Sequence, residues 1–211
     1  MEGGICIADL NQLSAIYDRD YYEAGGQGSS YHGYTWDRLS TYFKATARHI
    51  CEHFKPGTLL DVGCAKGYLV KALVDLGVDA CGMDASAYAI ENAPADVSER
   101  LVQGVVQALP YKDAAFDVVT AMDILEHIPE DEAATVCREL LRVSRGLVVT
   151  NILTLEIPDY TDRTHITVKP QAWWESLFMK TGGQVLPVQP YYDPGIWWFN
   201  IPERIVVVQK K

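Results

Sequence analysis

Two carboxylates and a run of small residues lie where a ligand could be held. Leu59-Leu60-Asp61 reads as the end of a short buried strand. It runs straight into Val62-Gly63-Cys64-Ala65-Lys66-Gly67, and an apolar helical segment opens at Tyr68. Small residues at 63, 65 and 67 let the backbone approach a ligand and take conformations that a Cβ would forbid. The helix that follows is expected to offer N–H groups with no intrahelical partner. A dinucleotide loop needs G-x-G-x-x-G to seat a pyrophosphate. The alternate spacing here is different, and an acid at 61 would repel a pyrophosphate while suiting a cationic amino group. About one β-α unit later, Cys81-Gly82-Met83-Asp84-Ala85-Ser86 places a second acid at the end of a strand. Asp84 is expected either to accept both hydroxyls of a ribose or to cap the next helix.

A carboxylate for an amino group and another for a ribose together point to an amino-acid-bearing nucleoside such as S-adenosylmethionine (SAM). A plain tight strand-to-helix turn is the alternative. Two histidines stand among carboxylates elsewhere. His127 follows Glu126 just after the apolar run Phe116 to Met122, near Asp123. His165 lies in the polar stretch from Pro158 to Thr167, three residues after Asp162. Histidine exchanges a proton near neutral pH. His165 is the expected base, with Asp162 orienting it, or else it fixes its loop by hydrogen bonding. His127 and Asp123 are further candidates for a base.

These residues need a scaffold. Thr58 to Val62, Val78 to Met83, Arg100 to Gln103, Phe116 to Met122 and Gly146 to Ile152 read as strands. Helical segments separate them at Tyr68 to Leu76, Ala87 to Asn92 (capped by Ser86) and Glu130 to Val143. Repeated β-α units imply a parallel sheet with helices on both faces. Pro170 opens a further helix to about Thr181, and Gln184 to Gln189 and Arg204 to Gln209 read as closing strands. Tyr191 to Asn200 between them is a loop or hairpin, and its Trp197-Trp198-Phe199 would wall an acceptor pocket or pack a dimer interface. The expected fold is α/β, with a seven-stranded, mostly parallel, Rossmann-like sheet.

The first 54 residues form a separate helical front end. Ile5 to Tyr17 is partly amphipathic, Tyr21 to Tyr34 reads as a Gly- and Tyr-rich loop, and Thr35 to Phe54 is a helix that Lys55-Pro56-Gly57 ends. This division gives a lid over residues 1–54 and a binding domain over 55–211.

Composition narrows the function. The 211 residues suit one domain. A formal net charge of −10 and the lack of a basic stripe argue against nucleic acid as partner. No apolar run approaches the ~20 residues of a membrane span, and there is no cleavable signal pattern, so a cytoplasmic protein is expected. Cys6, Cys51, Cys64, Cys81 and Cys137 are scattered, without zinc spacing, and read as free thiols. No set of carboxylates assembles a magnesium site, so no metal is expected.

From Thr58 to Ile152 the chain resembles a class I (Rossmann-like) SAM-dependent methyltransferase of the small-molecule type. The family's D-x-G-x-G-x-G motif is matched by Asp61, Gly63 and Gly67, with Ala65 in place of the middle glycine. Its third motif carries an acid before a small residue and Leu-Pro. Here Val106-Gln107-Ala108-Leu109-Pro110 puts Gln107 where the acid stands. The resemblance implies cofactor contacts from Asp61, Gly63, Cys64, Ala65, Gly67, Asp84 and Ala85. It adds Gln107 and Ala108 beside the adenine, Met122 beside the methionine part, and Tyr34 from the front end. Asp162-Arg163-Thr164-His165 is similar to a D-x-T-H element of methyltransferases acting on sugars and natural products. The implied reaction moves a methyl group from SAM to a small-molecule or glycan acceptor, on oxygen, leaving S-adenosylhomocysteine. The Asn/Asp-Pro-Pro-aromatic signature of base and amide methylation is absent, so DNA is not an expected acceptor. A SAM-binding regulatory protein without catalysis and a small-molecule N-methyltransferase are the alternatives, followed by a nicotinamide-dependent oxidoreductase, which the glycine spacing disfavours.

Overall fold

The apolar runs become seven strands of one sheet in a computed structural model that describes residues 9–154 and 162–211. They are β1 (Thr58–Val62), β2 (Asp79–Asp84), β3 (Leu101–Gln103), β4 (Phe116–Met122), β5 (Ser144–Asn151), β6 (Gly183–Leu186) and β7 (Ile205–Lys210). Their spatial order is β3-β2-β1-β4-β5-β7-β6. All neighbours are parallel except β7, which runs antiparallel to both β5 and β6. Leu59, Leu60, Val118, Val119 and Val148 have almost no exposure. Strands covered on both faces read as unbroken apolar runs, and these do.

Helices cover the two faces. On one side α3 (Trp36–Phe54) and α4 (Tyr68–Val74) pack Phe43, Ala47, Ile50, Leu69 and Leu73 into a core with Leu59 and Val118. On the other, α6 (Ala133–Val143) and α7 (Gln171–Lys180) pack Val136, Leu140, Trp174 and Phe178 against Leu60, Val119 and Val148. The strand order reverses between β1 and β4, which opens a crevice at their carboxyl ends.

Several boundaries move. α4 stops at Val74, so Leu76 is 48% exposed rather than on the buried face. α6 begins at Ala133 instead of Glu130, and Pro170 sits just outside α7, at its cap position. The front end departs most. Of the helix expected over Ile5 to Tyr17, α1 covers Leu10–Ile16, and residues 5–8 lie outside the described residues. The expected loop from Tyr21 to Tyr34 contains α2 (Arg19–Glu23) and a short 3-10 turn at Gly26–Gly28. Asp18 caps α2 by accepting from the Tyr21 N–H at 3.0 Å, and Tyr21, Tyr22 and Tyr34 are buried against one another's edges and faces. Ring packing supplies the burial that the Gly-rich sequence concealed.

α5 (Ala87–Glu91) starts as expected, with Ser86 Oγ accepting from the Ala89 N–H at 3.0 Å. Among the described residues, no helix is long and apolar enough to cross a membrane, and Cys51, Cys64, Cys81 and Cys137 are free thiols.

Candidate active site

A cavity of about 1000 Å³ opens at the crevice, roofed by the front end. Its floor is the loop after β1. Gly63 has φ +74°, and a Cβ there would stand 1.9 Å from Ile124 Cδ1. Gly67 has φ +73°, and a Cβ would lie 2.6 Å from a methyl of Leu101. Ala65 takes φ +49° although it carries a Cβ. The N–H groups of Gly63 and Cys64 both donate to the Met83 carbonyl, at 2.7 and 3.1 Å. The Ala65 N–H donates to Asp84 Oδ2 at 2.7 Å. The N–H groups of residues 63–65 are therefore spent inside the fold rather than turned to a ligand. Such a loop cannot cradle a pyrophosphate, which needs those N–H groups.

Asp61 and Asp84 both line the cavity and are both buried. Thr120 Oγ1 donates to Asp61 at 2.7 Å, but burial dominates and pushes its carboxyl up to about 7. Asp84 also accepts from the Ser86 N–H at 2.8 Å, and burial raises its carboxyl as well. Gln107 is buried, with its Nε2 donating to Glu132 Oε2 at 2.6 Å. Its Oε1 is buried with no hydrogen-bond partner among the described residues. Buried acceptors are rarely left unpaired, so this one marks a place for a donor.

Cys64, Ala85, Met122 and Tyr34 also line the cavity. Two expected contacts do not. Gly67 serves the turn, as the left-handed residue ahead of α4. Ala108 is exposed, and Val105 and Val106 take its place in the wall. Asp123 is not a free base either. Trp198 Nε1 donates to its Oδ2 at 2.8 Å, and Arg204 pairs with its Oδ1 at 2.7 Å.

The two histidines meet. The His127 and His165 rings lie 4.5 Å apart, nearly perpendicular. The Ile166 and Thr167 N–H groups both donate to the Glu126 carbonyl at 2.9 Å, which ties the segment after 162 to the turn after β4. Asp162 Oδ1 accepts from the Thr164 N–H and hydroxyl, at 2.9 and 2.5 Å. With that hydroxyl proton committed, Thr164 Oγ1 meets His127 Nδ1 at 2.9 Å as the acceptor. His165 Nε2 is 3.9 Å from Asp162 Oδ2, inside ion-pair range but too long for a hydrogen bond. Burial lowers the affinity of both rings for a second proton, that of His127 to a pKa of about 4. Burial thus favours the neutral form of both rings.

Glu126 went unassigned in the sequence beyond its adjacency to His127. It is fully buried, with Oε1 accepting from the Leu153 N–H at 3.0 Å and Oε2 without a partner among the described residues. Burial, reinforced by Asp123, pushes this carboxyl up to about 8. Glu126, His127 and His165 each bring one ligating atom within 4.8 Å of the others, a grouping with the spacing of a cation site that no sequence motif announced. Tyr17 and Arg204 also reach the cavity unannounced, and Tyr21 does so from the front end expected to act as a lid. Arg204 carried no signal, because its partner Asp123 lies 81 positions away.

The likenesses to known proteins agree with this geometry. A family profile described as a methyltransferase domain matches residues 60–149. The ubiquinone biosynthesis O-methyltransferase of Paraburkholderia xenovorans (strain LB400) is 30% identical over 115 residues, covering 51% of this chain and 49% of that protein. The protein of the same description from Maricaulis maris (strain MCS10) is 28% identical over 192 residues, covering 75% and 74%. The chain thus spans about half the length of the first of these relatives. A TehB-like SAM-dependent methyltransferase from Corynebacterium glutamicum superposes with a TM-score of 0.62 at 19% identity, over 83% of this chain and 94% of that one, which speaks for the fold. Residues 60–149 thus match a methyltransferase-domain family, on the Rossmann-like fold that the chain has in common with class I SAM-dependent methyltransferases.

Proposed function

We propose that the chain transfers a methyl group from SAM to a hydroxyl oxygen of a small, ring-bearing acceptor. One observation carries this reading: a single cavity holds both the Asp61–Asp84–Gln107 cradle and the His127–Asp162–Thr164–His165 cluster. The cradle fits the cofactor. Gln107 Oε1 offers an unpaired buried acceptor for the adenine amino group, Asp84 has lone pairs left for the ribose, and Asp61 suits a cationic amino group. When bound, SAM supplies a methyl group already activated on a sulfonium, so the protein's task is alignment and proton removal.

His165 is the proposed base. As a neutral ring it takes the acceptor's hydroxyl proton while the oxygen–carbon bond forms and the carbon–sulfur bond breaks, its electrons neutralising the sulfonium. Asp162 stabilises the imidazolium that results. Leu39, Tyr42, Phe43 and Trp197 give the outer cavity apolar and aromatic walls. Tyr42 and Trp197 pack at a tilt, 5.5 Å between centroids, and both line the cavity, which supports the acceptor-wall reading of Trp197. The named activity of the relatives supports oxygen as the target and a quinol-like ring as the first acceptor to try; sugar hydroxyls follow.

Calorimetry with SAM tests the cradle: Asp84→Ala should weaken binding at least tenfold. Transfer of radiolabelled methyl to a panel of catechols, hydroquinones and sugars tests the reaction. His165→Ala should cut turnover with SAM affinity nearly intact, and unchanged turnover removes His165 from the chemistry. Tight SAM binding with no transfer across the panel would instead make this a SAM-binding protein without catalysis.

A further inference from the structure

We propose that Tyr17 and Tyr21 are positioning residues whose hydroxyls set the arrangement of Asp162, Thr164 and His127. On this view, the front end that roofs the cofactor side also fixes the acceptor side. The inference rests on reading residues 162–165 as the acceptor side of the site. Tyr21 donates its hydroxyl to Asp162 Oδ2 at 3.0 Å, in a buried position. That oxygen is the one 3.9 Å from His165 Nε2. The phenol therefore holds the carboxylate at a fixed distance from the ring instead of letting the two collapse together. The Tyr17 hydroxyl lies 3.2 Å from His127 Nδ1, the nitrogen that also meets Thr164. The two phenol rings pack edge to face, 5.0 Å between centroids, so neither moves without the other.

The other end of the same segment grips the cofactor side. Ser14 Oγ accepts from the Ala87 N–H at 3.0 Å, and the Tyr17 carbonyl accepts from Ser86 Oγ. Ser86 in turn donates its N–H to Asp84. Residues 14–21 thus bridge the turn that holds Asp84 and the segment that holds His165. Lys66, in the loop after β1, adds an ion pair to Glu23 and a hydrogen bond to the Tyr34 carbonyl at 3.0 Å. A role in packing alone would use the tyrosine rings and leave the hydroxyls unimportant to the histidines.

Tyr17→Phe and Tyr21→Phe separate the two roles, because each keeps its ring and loses its hydroxyl. Three readouts apply: affinity for S-adenosylhomocysteine, kcat and KM with a hydroquinone acceptor, and histidine-ring ¹H–¹⁵N spectra of the complex. The expected result is affinity within about twofold of the parent and kcat lowered about tenfold with KM little changed, the size expected from one buried hydrogen bond. The ring signals of His127 and His165 should move while those of His32, His49 and His53 stay. Parental kcat in both variants, or unmoved His127 and His165 signals, would overturn the proposal. If the parent protein methylates no acceptor, the function proposed above fails, and the ring signals alone still decide the positioning role.

Discussion

Gln107 shows how one neighbour decides a residue's identity. The family resemblance calls for an acid there, yet Gln107 Nε2 donates to Glu132 Oε2 at 2.6 Å. A carboxylate in its place would face another carboxylate in a buried setting, and like charges that close disfavour ionisation. Gln107→Glu should therefore weaken SAM binding, most at high pH where the new acid is ionised and can no longer donate to Glu132, and Glu132→Gln in the same chain should restore it; calorimetry on the two variants checks both. Asp61 gives a second prediction. Burial raises its carboxyl from 3.8 to about 7. Folded Asp61 thus keeps a proton that the unfolded chain releases between those values, and its contribution to stability falls as pH rises through that window. A cationic amino group needs the ionised form, so SAM binding at pH 6 should release a proton. Calorimetry in buffers of different ionisation heat should detect that proton, and Asp61→Asn should abolish it.

At the scale of elements, legibility followed the range of the contacts. β1 and β4 begin and end where the sequence places them, because strands buried on both faces write that burial as an apolar run. The start of α5 was equally plain, since a cap is a local bond between Ser86 and the residues just after it. α1 was legible in part, as a piece of the amphipathic stretch from Ile5 to Tyr17, and α2 was not. No residue of α1 is buried, and α2 is one short turn held by an Asp18 cap and by tyrosines that meet across the fold. Ser86→Ala should cost about 1 kcal/mol as a lost cap. It should cost more than that in thermal or denaturant unfolding, because the same hydroxyl holds the Tyr17 carbonyl. A loss limited to the cap value would mean that the front end contributes nothing to the turn at Asp84.

For the whole molecule, the front end and the sheet share one cavity, and its roof is made of residues distant in sequence from its floor. If the roof closes on the cofactor, amide hydrogen exchange over residues 10–34 should slow on addition of S-adenosylhomocysteine, by tenfold or more. The amides of β1 and β4, already deep in the core, should change little. Equal protection everywhere would point to global stabilisation by ligand rather than closure.

By itself the sequence singled out most of the residues proposed for the cofactor side. The acid ending β1, the small residues at 63, 65 and 67, and the acid ending β2 lie within about one β-α unit, and their meaning depends on local backbone geometry. The reversal of strand order, the pairing of Asp123 with Arg204, and the meeting of His127, His165, Asp162 and Tyr21 were decided only in three dimensions. These groups are brought together by chain crossovers and buried packing, and no periodicity or spacing in a linear sequence encodes which distant side chains will share a wall.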